Sequence, residues 1–265
     1  VTRNAFEQAA SGVDSNAYAG TRFVWRDDWM IGAQLAQGNG WNNICIGTPP
    51  YSLFLTGANS NIAPVTGHQR IGVCTLSGGT TAVGAAAVGT QADLILQRGT
   101  ASFEAIVGFQ TLSAVLDEYA VEIGLKGNAA VGGAPDGYGC TFIYDRNNVL
   151  PQHGGANPSK LHKWICVVYE GSTGPVLKTA VLTSVTVATC TFPDTGLFHL
   201  KVTATGTGAV FVINGVTVAT ITTNVPTHSL AGSVGITNTA SSQLLAPLYL
   251  DFTELAYVVN AQRVP

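Results

Sequence analysis

Lys, Arg, Asp and Glu make up only 10% of this 265-residue chain, and its net charge is −3; an ordinary domain carries about 25% charged residues. High hydrophobicity with low charge excludes a disordered chain, and the lack of any basic run excludes nucleic-acid binding through a phosphate-tracking patch. No apolar stretch reaches the about 18 residues that a membrane helix needs.

Residues 1–18 ("VTRNAFEQAASGVDSNAY") are too weakly periodic to anchor a core helix, and they read as an N-terminal arm. Residues 19–265 read as one all-β domain. "TRFVW", "WNNICIG", "YSLFL", "HQRIGVCTL", "TAVGAAAV", "ADLILQ", "ASFEAIVGF" and "DEYAVEIGL" are predicted strands. "GYGCTFIYD", "KWICVVYE", "VLKTAVLT", "VTVATCTF" and "GLFHLKVTA" follow. Near the end, "AVFVINGVTVATI" places Asn214-Gly215 between two alternating apolar runs. Asn-Gly tolerates positive φ at both positions, so this is a two-residue hairpin, and turn chemistry accounts for Asn214 without a ligand. "GSVGIT" and "LYLDFTELAYVV" close the chain. Strands at about 8–12-residue spacing predict an antiparallel sandwich or barrel.

Cys45, Cys74, Cys140, Cys166 and Cys190 are widely spaced, odd in number and mostly inside strand-like runs. They are expected to be reduced core residues, the state of a protein folded in a cytosol; a single disulfide stays open. The two long loops are Gly127–Gly137 and Asp145–Lys160. Long loops carry function more often than strands do, so Asn147, Asn148 and His153 are candidate contact residues. "DRNN" (145–148) offers oxygens to a cation, but no motif demands one, and no metal or cofactor is expected. The tryptophans give a second candidate region. Trp25, Trp29 and Trp41 lie among Asp27, Asp28, Asn39, Asn42 and Asn43, the composition of a sugar-stacking platform. Core packing of the same rings is the competing reading.

The C-terminal order of strand, Asn-Gly hairpin, Gly-Ile strand and long closing strand resembles the concanavalin A-like jelly roll of lectins, laminin G-like modules and glucanases. The early "WRDDW" (25–29) and "GNGW" (38–41) are similar to surface domains of tailed-phage virion proteins. The resemblance implies two antiparallel sheets packed face to face. It also implies, in glucanases, a strand bearing Glu-x-Asp-x-Glu. Here that strand is "EYAVE", with Glu118 and Glu122 flanking Ala120. Four residues of strand span about 13 Å, whereas retaining hydrolysis needs carboxyls about 5–5.5 Å apart. Glu104 on a neighbouring strand is a possible partner; the bland alternative is ordinary polar residues on a solvated face.

No catalytic residue is therefore expected. The expected function is a non-enzymatic virion module — capsid decoration, fibre or shell — on the particle surface, folded in the host cytoplasm. Its partners would be other virion proteins or copies of itself, with host-surface glycans as a second contact. A carbohydrate-active enzyme or a free lectin is the alternative.

Overall fold

The computed structural model describes residues 22–27, 36–37, 40–44, 51–64, 73–82, 84–90, 94–114, 118–127, 137–145, 162–171, 177–190, 196–238 and 248–260. In chain order the strands are β1 (Arg22–Asp27), β2 (Ala36–Gln37), β3 (Gly40–Ile44), β4 (Tyr51–Thr56), β5 (Asn61–Pro64), β6 (Cys74–Ser77) and β7 (Ala85–Thr90). Then come β8 (Gly99–Phe109), β9 (Tyr119–Lys126), β10 (Gly139–Asp145), β11 (Lys163–Glu170) and β12 (Leu177–Thr186). The last five are β13 (Phe198–Thr205), β14 (Gly208–Ile213), β15 (Val216–Ile221), β16 (Ala231–Asn238) and β17 (Leu248–Val259). They form two sheets. One has nine strands in the order β15-β14-β13-β8-β17-β6-β5-β2, with β1 also on β17. The other has eight, β12-β11-β10-β9-β16-β7-β4-β3. The named strands pair antiparallel throughout. This is the expected sandwich. The N-terminal arm and most of both long loops lie outside the described residues.

The hydrophobic core lies between the sheets. Alternate residues of β8 and β13 (Phe103, Ala105, Val107; Leu200, Val202, Ala204) face Val121, Ile123, Phe142 and Trp164 of the other sheet in one buried cluster. One end is aromatic: Phe109, Tyr144, Trp164 and Phe198 meet at ring-centroid separations of 5.1–6.4 Å. Three of the cysteines lie in the core, as their strand-interior placement suggests. Cys74, Cys140 and Cys166 are buried free thiols and Cys190 is a partly buried one. Burial pushes the Cys140 and Cys166 thiols far up, out of reach of thiolate chemistry.

The hairpin is as predicted. Asn214 (φ 50°) and Gly215 (φ 80°) form the turn between β14 and β15. Asn214 does more than turn the chain. Its side-chain oxygen accepts the His199 N–H at 2.8 Å, and its own N–H donates to the His199 carbonyl at 2.8 Å. That ties the turn to the start of β13, which explains Asn214 without a ligand.

Three local expectations need correcting. "VTVATCTF" is not a separate strand: Val185 and Thr186 end β12, and among the described residues beyond it Thr189 makes a lone bridge with Phe109. The described residues of "ADLILQ" form no strand. Leu94 makes a lone bridge with Leu230, and Leu96–Arg98 is a 3-10 turn closed by Arg98 N–H on the Ile95 carbonyl. The apolar run is buried at Leu94 and Leu96, so burial, not strand pairing, accounts for its composition. β5 ("NIAP") was not expected, because a four-residue strand ending in Pro carries almost no periodic signal.

The two sheets differ on their outer faces. β8 and β13 alternate buried and half-buried residues, the pattern of one dry face and one wet face. β7, β9 and β10 are buried at every residue, β11 at all but its two ends and β16 at all but its first residue. The eight-stranded sheet is therefore closed on both faces along its middle.

Candidate functional site

The acidic strand of the glucanase comparison is β9. Its core-facing residues are Tyr119, Val121, Ile123 and Leu125, so the intervening Ala120, Glu122, Gly124 and Lys126 lie on the outer face. Glu118, half-buried, immediately precedes the strand. The expectation of a solvated face fails here, because Glu122 is 0% exposed. Ala120, Ile143, Ile165, Val167 and Tyr169 form a second apolar cluster on this face.

An ionised carboxylate sunk among apolar residues must be compensated. Glu122 is compensated on both oxygens. Lys126 Nζ lies 2.6 Å from Oε2, and the Tyr169 hydroxyl donates to Oε1 at 2.7 Å. The Thr141 hydroxyl donates to the same oxygen at 3.3 Å. Lys126 and Glu122 are four residues apart on one strand, with Gly124 (φ 149°) between them. A side chain on Gly124 would strike the Cys140 carbonyl. Burial drives the Tyr169 hydroxyl well above its ordinary pKa, and the charge and hydrogen bond of Glu122 push the same way. Tyr169 thus stays a protonated donor.

Register supplies a neighbour that the sequence does not show. Asp145 on β10 stands opposite Ala120, where the glucanase pattern has its central acid. Directly opposed residues share a face, with Cα atoms about 4.5–5.5 Å apart. Asp145 is buried. The outer face therefore carries Glu122 and Asp145 on adjacent strands, with Glu118 beside them.

Glu104 does not join this group. It lies on β8, in the other sheet, among the half-buried outer residues. There it accepts His199 Nε2 at 2.8 Å and Lys201 Nζ, both from β13. Burial opposes ionisation of Glu104, but the hydrogen bonds and charges of Lys201 and His199 outweigh it and hold the carboxyl below its ordinary value. Glu254 of β17 is its register neighbour and binds Arg22 and Arg26 of β1. These charges clip strands together across the wet face of the nine-stranded sheet.

The tryptophan candidates are split between the sheets. Trp25 and Asp27 lie on β1, opposite Leu255 and Thr253 of β17; Leu255 belongs to the core. Trp41 and Asn42 lie on β3, in the other sheet, opposite Phe54 and Leu53. Through Phe54, Ala87 and Gly235, Trp41 shares a cross-strand row with Glu122. Asn42 shares the alternate row with Val88, a core residue. Asp28, Trp29, Asn147, Asn148 and His153 lie outside the described residues. No group of three or more His, Cys, Asp or Glu side chains suited to a metal ion occurs among the described residues.

Comparison with solved structures gives the fold a name. Protein SO2946 of Shewanella oneidensis MR-1, of unknown function, superposes over 100% of this chain and 98% of its own, with a TM-score of 0.55 at 14% identity. The endo-1,3-β-glucanase of Streptomyces sioyaensis covers 89% of this chain and 95% of its own, with a TM-score of 0.52 at 12% identity. The carbohydrate recognition domain of Emp47p covers 86% and 92%, with a TM-score of 0.50 at 9% identity. The fold is a concanavalin A-like jelly roll. At these identities the likeness speaks to architecture, and the jelly roll hosts both enzymes and binding modules. No family model and no curated protein matches the chain.

Proposed function

We propose that this jelly roll is a non-catalytic module, a structural or surface component that contacts glycans. The observation that supports it is the state of Glu122. A glycosidase carboxyl must reach a sugar bond and exchange protons or form a bond there. Glu122 is buried, and both of its oxygens are engaged by Lys126, Tyr169 and Thr141. Those contacts suit a fixed charge inside a packed layer. Ala120 stands where the glucanase pattern has its central acid, and Glu104 is on the other sheet. The finer setting, a tailed-phage particle on which this chain meets copies of itself or other virion proteins, rests on the sequence resemblance at 25–29 and 38–41.

A second reading, a glycan hydrolase, draws on one specific observation: Asp145 stands beside Ala120 and restores a carboxyl to that position. A reducing-sugar assay on β-glucans, galactans and bacterial exopolysaccharides, run beside a glycan array, separates the two. The expected result is no sugar release, with any glycan recognition seen on the array alone. Turnover that vanishes in Glu122→Gln or Asp145→Asn would establish the hydrolase instead.

A further inference from the structure

We propose that Asn214 is a covalent modification site, losing its side-chain amide to the backbone nitrogen of Gly215 through a succinimide that water opens to aspartate or isoaspartate. The reaction needs only the chain and water. The Gly215 nitrogen bonds to Asn214 Cγ and gives up its proton. The bond from Cγ to Nδ2 breaks, and Nδ2 leaves with that proton as ammonia. Water then adds to either carbonyl of the ring, and the ring opens there. Nothing is oxidised or reduced.

Three described asparagines hold positive φ: Asn59 at 61°, Asn214 at 50° and Asn224 at 56°. Their hydrogen bonds separate them. Asn59 Nδ2 donates to Thr80 Oγ1 at 3.1 Å, and Asn224 Nδ2 donates to Thr179 Oγ1 at 2.9 Å. In both, the nitrogen that would leave is tied. In Asn214 the tied atom is the oxygen, which accepts the His199 N–H at 2.8 Å, and Nδ2 has no partner among the described residues. A fixed donor on that oxygen stabilises the negative charge that grows there as the nitrogen attacks.

The attacking side differs as well. Ser60 and Val225 follow Asn59 and Asn224, and each sets a side chain beside its own nitrogen. Gly215 has none, and a β-carbon built on it would meet nothing within 4 Å. Asn214 and Gly215 are both exposed, so water reaches the ring and ammonia leaves freely.

The two products act differently on the fold. Aspartate keeps an oxygen for the His199 N–H and adds a negative charge at the tip of the hairpin. Isoaspartate routes the main chain through the former side chain and lengthens the turn by a methylene. A two-residue turn has a narrow backbone geometry, and this one is also held by the Asn214 N–H on the His199 carbonyl. Isoaspartate should therefore loosen β14 and β15 at the edge of the nine-stranded sheet.

The test is incubation of the folded 265-residue chain at mildly alkaline pH, followed by digestion and residue-level mass spectrometry. The expected result is an amide-to-acid mass change at residue 214, split between aspartate and isoaspartate, with Asn59 and Asn224 unchanged. Asn39-Gly40, the other Asn-Gly pair in the chain, is read from its own fragment. The aged wild type should also unfold at a lower temperature than the fresh protein. Asn214→Gly, whose Gly-Gly pair still turns the chain, should unfold alike aged or fresh. A folded chain that keeps Asn214 intact over a period in which the urea-unfolded chain converts it would overturn the proposal, as would conversion of Asn59 or Asn224 at the same rate.

Discussion

Replacing Lys126 by Met should destabilise the fold by about 3–5 kcal/mol, the usual cost of removing one partner from a buried ion pair. The Lys126 side chain is 6% exposed and the Glu122 side chain 0%, with 2.6 Å between the charges. Without Lys126, the Glu122 carboxylate keeps only neutral donors, Tyr169 and Thr141, inside an apolar layer. It must then take up a proton or hold an uncompensated charge. Removing both charges is a different operation. A Glu122→Leu/Lys126→Met variant should recover part of the loss, because the desolvation of two ions disappears together with their attraction. Recovery should be incomplete, since the Tyr169 and Thr141 hydroxyls lose their acceptor, at about 1–3 kcal/mol for each group left unsatisfied. Urea unfolding at neutral pH reads all three proteins. A single-variant cost below about 1 kcal/mol, the range of exposed pairs, would show that the pair is solvated and that the outer face is open.

Trp164→Ala should cost a similar about 3–5 kcal/mol, for a different reason: it empties the aromatic end of the core. Trp164 is fully buried. Its ring lies 5.7 Å from Phe109, 5.9 Å from Phe198, 6.2 Å from Phe142 and 6.3 Å from Tyr144. These partners come from both sheets, so no single element can collapse into the space. The indole N–H has no hydrogen-bond partner among the described residues. Trp164→Phe should therefore cost clearly less than its lost volume alone implies, because it also removes an unsatisfied donor. Thermal unfolding of the two variants gives the comparison. A Phe variant as damaging as the Ala variant would mean that the indole nitrogen is bonded after all.

Most of the architecture was legible because strands write their faces in period two. β11 and β17 match the segments read from the sequence end to end, and the Asn214-Gly215 turn falls where its φ preferences put it. Two-faced burial of the middle of the eight-stranded sheet was harder to see. Alternation in "EYAVEIGL" suggested a dry side and a wet side, which put Glu122 in water. The signal that corrects this lies on the neighbours: "CTFIY" and "WICVVY" are near-continuous apolar runs, the mark of strands buried on both faces. A carboxylate on a strand between such neighbours has little access to water. Asp145 beside Ala120 was invisible for another reason. Which residue opposes which is set by pairing register, and no local pattern in "FIYD" encodes it. The same limit applies to the tryptophans. Closeness in sequence put Trp25 and Trp41 in one region, but the chain order of the jelly roll sends β1 and β3 to different sheets.

The central claim is that Glu122 is a sealed structural charge and not a presented catalytic group. Carbodiimide coupling of carboxyls to glycine ethyl ester in the native protein, followed by peptide mass spectrometry, measures this most directly. The account predicts that Glu118, half-buried at the start of the strand, is labelled, while Glu122 and Asp145 react only once the protein is unfolded. Labelling of Glu122 in the native state at a rate comparable with Glu118 would contradict it.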